Sequence, residues 1–126
     1  MATGIAAAKV RLKRAYEPAA ADGDGARVLV DRLWPRGVRK EAAALRMWAK
    51  DVAPSDALRR WFGHDRVRWD EFRRRYRAEL AERPDAVAAL RSLARRGTLT
   101  LVYGARDSEH NEAVVLRNVI LGRAAD

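Results

Sequence analysis

Two stretches of this 126-residue chain concentrate side chains able to hold a ligand or move a proton. In the first, the apolar run Val28-Leu29-Val30 breaks into Asp31-Arg32-Leu33-Trp34-Pro35-Arg36-Gly37. In the second, Leu99-Thr100-Leu101-Val102-Tyr103 gives way to Gly104-Ala105-Arg106-Asp107-Ser108-Glu109-His110-Asn111. A buried strand that runs straight into charged residues, Pro and Gly is the pattern of a loop presenting polar groups at the end of a sheet. Arg32, Arg36 and Arg106 carry planar guanidinium forks suited to carboxylate or phosphate. Asp31, His64 and Asp107 are the candidates for proton transfer, imidazole because it titrates near neutrality. Trp34, Lys40, Trp48, Lys50 and Tyr103 are candidate pocket walls, and Ser108 and Asn111 are candidate donors to an anion at the start of the following helix. The plainer readings are that Arg32 or Arg36 pairs with Asp31, Asp51 or Glu79 to fix the loop, that Trp34 covers the core, and that Asp107 or Ser108 only caps a helix.

The totals exclude several chemistries. There is no Cys, so disulfides, thiolate nucleophiles and Cys-based metal sites are ruled out, and a reducing compartment, the cytoplasm, is the expected location. Two histidines are too few for a metal centre without added carboxylates, and no metal or other cofactor is expected. No run approaches the roughly 20 apolar residues of a membrane span, and the N-terminus lacks the features of a signal peptide. The formal charge of +9, from 26 Lys and Arg against 17 Asp and Glu, admits a polyanion as partner, although an arginine and alanine bias alone produces such a value. Monomer and homodimer both remain open.

The elements that must position these loops read as alternating strands and helices. Lys9–Arg14 alternates Val10 and Leu12 with basic residues, a strand with one face on the core. Residues 16–26 read as a flexible turn, Val28–Asp31 as a buried strand, and 41–52 as either helix or strand. Ser55 predicts an N-cap for a short helix ending at Gly63, and Asp65 a cap for the next. Val67, Trp69, Phe72, Tyr76 and Leu80 predict an aromatic stripe on that second helix, whose other faces carry the arginines of the run 66–77. Pro84 and Gly97 bracket a third helix, Thr98–Tyr103 is a strand, and a mostly apolar helix is expected from about Ser108 to Leu121. The pattern predicts an α/β fold: a flexible stretch 1–8, a single domain over 9–122 with a small, mostly parallel sheet and helices packed on its faces, and a tail 123–126.

These residues also carry a resemblance. The run 31–37, with Lys40, Trp48, Lys50, Pro54-Ser55, Leu58-Arg59, Trp61-Phe62, His64, Phe72, Tyr76, Glu79-Leu80, the run Thr100–Asp107 and Asn111, resembles the bacterial YeaO-like family, domain of unknown function 488. The resemblance implies a small cytosolic α/β protein with no established reaction or cofactor. More distant relatives of this plan carry a Cys near the position of Gly104, and its absence excludes rhodanese or cysteine-phosphatase chemistry here. The reading is therefore a basic pocket between loops 31–40 and 104–111 that binds, or turns over, a small anionic ligand. The alternatives are a nucleic-acid-binding or regulatory module using the arginine-rich helix 66–77, and an interaction protein that forms an oligomer.

Overall fold

The computed structural model describes residues 3–124. Four strands form one sheet: β1 (Val10–Arg14), β2 (Ala26–Leu29), β3 (Met47–Trp48) and β4 (Leu99–Tyr103). Their spatial order is β1-β4-β2-β3 and every pairing is parallel. The direction of the first strand, open in the sequence, is thereby fixed. β1 and β2 do not touch. β4 separates them, so the segment between them is a parallel crossover that passes over one intervening strand.

The pleat sorts the sheet into two unlike faces. Val10, Val28, Val30, Leu99, Leu101 and Tyr103 point to a core completed by α3 (Asp56–Phe62), α4 (Trp69–Ala81), α5 (Pro84–Arg96) and α6 (Glu112–Ile120). On the other face, Leu29, Val102 and Ala15 meet Trp34, Val38, Leu45 and Trp48. The short helices α1 (Ala21–Asp24) and α2 (Lys40–Ala43) border that second face. There Asp24, 1% exposed, receives Arg27 Nη1 at 2.7 Å and Lys13 Nζ at 3.2 Å, while Arg27 Nε donates to the Ala43 carbonyl. Thr100 Oγ1 closes the cluster on the Asp24 carbonyl at 2.6 Å. The stretch expected to be a flexible turn is therefore anchored under the sheet. Gly25 allows this, because its φ is +59° and a Cβ there would lie 2.2 Å from the Thr98 carbonyl oxygen.

The helix boundaries follow their caps. Ser55 Oγ accepts the Leu58 amide at 3.1 Å and donates to Glu79 Oε2 at 2.6 Å, and the Ser55 amide donates to the other Glu79 oxygen. One residue thus starts α3 and ties it to α4. Ser55→Ala is expected to lower stability by about 1–2 kcal/mol in urea denaturation, the loss of a cap and a charge-assisted bond. Asp65 caps a single 3-10 turn, Arg66–Arg68, before α4 begins. Phe72, Tyr76 and Leu80 are buried as the stripe requires, but Val67, expected in it, is 92% exposed because the 3-10 turn rotates it off the face. Gly97 ends α5 with its amide on the Leu93 carbonyl. The last helix starts at Glu112, later than Ser108, because Asn111 is the cap: its Oδ1 accepts the Val114 amide. At the N-terminal end, Ile5 packs on the main core and Thr3 Oγ1 donates to the Leu121 carbonyl.

Candidate functional site

The carboxyl ends of β2 and β4 lie side by side, and the loops that follow them enclose a cleft of about 1030 Å³. Of the residues singled out from the sequence, Asp31, Arg32, Trp34, Arg36, His64, Arg106 and Asp107 line it. The second face of Trp34 belongs to a separate depression of about 780 Å³, which contains Lys40 and Trp48. There the two indoles meet edge-on at 5.4 Å, and Lys50 Nζ sits 4.0 Å from the Trp48 ring centre. Tyr103 is 4% exposed in the core. Asn111 is 1% exposed and spent on its cap, its Nδ2 donating to the Asp107 carbonyl, while Ser108 is exposed outside the cleft. The start of α6 is consequently filled by its own side chains, and the positive charge of the cleft comes from arginines.

Local chemistry holds the two loops in place. Asp31 Oδ2 accepts the Gly104 amide at 2.9 Å, which joins the loop after β2 to the loop after β4. A Cβ at Gly104 would come within 2.8 Å of that oxygen, so the carboxylate occupies space that any side chain there would claim. Trp48 Nε1 donates to the Asp31 carbonyl and Trp34 Nε1 to the Val38 carbonyl, both at 2.7 Å. In the second loop, Asp107 accepts the amides of Glu109 and His110, and the His110 ring lies 3.0 Å from its Oδ2. The Glu109 amide first, then the His110 ring and amide, hold the Asp107 carboxyl below its ordinary range. His64 follows Gly63 in the left-handed region, at φ 58°, which turns the chain back at the end of α3.

Six arginines line the cleft against three carboxyl groups, Asp31, Asp107 and Glu112. Four of the six are engaged. Arg14 donates to the carbonyls of Ala105 and Gly104, Arg32 Nε to the Pro54 carbonyl at 2.8 Å, and Arg59 and Arg60 pair with Asp56. None of the suggested partners Asp31, Asp51 and Glu79 takes Arg32. Arg36 and Arg106, one from each loop, make no side-chain hydrogen bond or ion pair among the described residues. Phe62 and Phe72 contribute an apolar patch, stacked at 4.3 Å.

Glu112 escaped the reading of the sequence. It is the first residue of an otherwise apolar helix, and a lone carboxylate there reads as an ordinary N-terminal charge. Burial, then the neighbouring Asp31 carboxyl, push its carboxyl well above the ordinary carboxylate range. Only the fold shows that pairing, since the partners are distant in sequence.

The family model described as "Inactive DUF488-N3 subclade" matches residues 9–126. The chain belongs to the DUF488 family. It is 43% identical over 107 residues to Uncharacterized protein YeaO of Escherichia coli (strain K12), covering 85% of this chain and 92% of that one. It is 45% identical over 115 residues to Uncharacterized protein Rv3073c of Mycobacterium tuberculosis, covering 91% of this chain and 96% of that one. Uncharacterized protein Mb3100c of Mycobacterium bovis matches to the same extent. No solved structure matches. Within this DUF488 chain, the position near which a Cys was expected in more distant relatives is Gly104, whose amide is held by Asp31.

The arginine-rich segment 66–77 is laced with acids. Arg68 pairs with Asp65, Arg73 with Asp70, and Arg74 and Arg75 with Glu71, while Arg66 reaches Asp107 at 3.5 Å. Trp61 is flanked by the guanidinium groups of Arg68 and Arg75. Among the described residues no helix is long and apolar enough to cross a membrane, and no group of three His, Asp or Glu could hold a metal ion.

Proposed function

We propose that the cleft binds a small anionic molecule, with Arg36 and Arg106 gripping its negative group from opposite loops. The observation that carries this reading is their placement: two guanidinium groups on the same cleft, neither engaged with a protein acceptor, beside four arginines that are. Guanidinium forks in that situation favour carboxylate or phosphate oxygens. Binding without turnover is the preferred form. The matching subclade is described as inactive, the chain has no thiol, and the candidate proton-transfer groups Asp31 and Asp107 are each occupied by backbone amides.

Titration calorimetry with sulfate, phosphate monoesters and dicarboxylates at low salt tests the reading. Arg36→Ala and Arg106→Ala are each expected to weaken the best anion by about 10- to 100-fold, the value of a hydrogen bond to a charged group, with stability changed by less than about 0.5 kcal/mol. Binding that is indifferent to both substitutions overturns the site. The rival reading places nucleic acid on segment 66–77, where it would have to displace Asp65, Asp70 and Glu71 from their arginines. Salt-sensitive binding of short DNA that is lost in Arg74→Ala and kept in Arg36→Ala would support it instead.

A further inference from the structure

The Asp31 carboxylate has two oxygens in unlike positions. Oδ2 accepts the Gly104 amide, whereas Oδ1 is buried and receives no hydrogen bond from any amide, hydroxyl or guanidinium group. A buried carboxylate oxygen left without a donor is costly. Glu112 lines the same cleft as Asp31, and two carboxyls brought into hydrogen-bond contact hold one proton between them. We propose that Glu112 is a proton-carrying residue that donates to Asp31 Oδ1, so that a single proton fastens the loop after β2 to the start of α6 and sets the charge of the cleft wall.

The surroundings fit a retained proton. Tyr76 and Glu79 of α4 and Tyr103 of β4 add no positive charge beside Glu112, and the Tyr76 hydroxyl is turned away onto the Val52 carbonyl. Asp107, in the loop before α6, is a further negative neighbour of Tyr103. On the Asp31 side the cleft carries six arginines, Arg14, Arg32, Arg36, Arg59, Arg60 and Arg106, which favour an ionised Asp31 as the acceptor of the Glu112 proton, and His64. Because the folded protein holds this proton more tightly than the unfolded chain does, the stabilisation is complete on the acid side of the ordinary glutamate range. It is lost as pH rises toward the folded value. The consequence for ligands rests on the anion-binding reading: ionising Glu112 places a second negative charge beside the arginines, so anion affinity falls over the same pH range.

The test compares the full chain with Glu112→Gln, whose amide can donate to Asp31 and cannot ionise. Urea denaturation is followed from about pH 5 to pH 8. The wild-type unfolding equilibrium constant is expected to rise by up to about tenfold per pH unit relative to the Gln variant, one proton's worth of linkage. Parallel pH profiles overturn the proposal. Should Glu112→Gln fail to fold, the carbon-13 shift of the Glu112 carboxyl in the wild-type protein decides: a midpoint above the other glutamates supports the shared proton, and one among them overturns it. Sulfate, which does not titrate in this range, reads the coupling. Affinity that falls with pH in the wild type and is flat in Glu112→Gln supports it, and a flat wild-type profile overturns it. If sulfate binds neither protein while the stability profiles differ, the anion reading fails and the shared proton stands.

Discussion

Asp24→Ala is expected to lower the unfolding free energy by about 3–5 kcal/mol at neutral pH, the cost of removing one partner from a buried ion pair. The size follows from what stays behind. Arg27 is 4% exposed and its Nη2 is already without a partner, so its charge would remain in the protein with only the Ala43 carbonyl as acceptor. Lys13 would lose its acceptor as well. Asp24→Asn keeps the shape and is expected to cost nearly as much, because an amide cannot balance the cations. Burial works against ionisation of Asp24, but the Ala20 amide, Lys13 and Arg27 more than reverse it and hold the carboxyl below its ordinary value of 3.8. A depressed carboxyl stabilises the fold at pH values above that ordinary one, and the contribution disappears as pH falls through the folded value. Acid denaturation monitored by circular dichroism should therefore be shallower in the variant than in the wild type, and equal acid limbs would show that the carboxylate contributes nothing.

Phe72→Ala is expected to be of similar size, about 3–5 kcal/mol, as for other large-to-small changes at buried aromatics. Phe72 is 2% exposed, stacks on Phe62 at 4.3 Å and lies 5.7 Å from both Trp69 and Tyr76. It also lines the cleft together with Phe62, so the cavity left by its removal would open toward the ligand. Loss of stability and loss of anion affinity should thus appear together, unlike the selective loss expected at Arg36. Urea denaturation and calorimetry on the same preparation distinguish them. Unchanged sulfate affinity in a folded Phe72→Ala protein would show that the apolar patch plays no part in holding the ligand.

Much of this architecture is legible in the sequence where one period dominates. The alternation in Lys9–Arg14, the caps Ser55 and Asp65, and the stripe Phe72, Tyr76, Leu80 each express a local rule, and each is found. What escaped reading is long-range. Arg11, Lys13 and Arg27 occupy the polar phase of their strands, which looks like a solvent face, yet Lys13 and Arg27 turn onto the carboxylate of Asp24. Asp24 itself, lying between Gly23 and Gly25, resembles a turn residue. Likewise the loops 31–37 and 104–111 stand out by composition, but nothing local predicts that Asp31 holds the Gly104 amide or meets Glu112. Tyr103 and Asn111 share the composition of a site and are occupied by packing and capping.

The strand order also governs how the protein comes into being. β1 and β2 make their sheet hydrogen bonds to β4, and β2 has otherwise only the two-residue β3 as partner. During synthesis, the polar backbone and apolar side chains of Val10–Arg14 and Ala26–Leu29 must therefore wait until Leu99–Tyr103 has been made, after α1 to α5. In such a chain the sheet cannot close before β4 has been made. Until then β1 lacks its strand partner and β2 has only the short β3, the long-range pairing that exposes unfinished strands to chaperones or proteases.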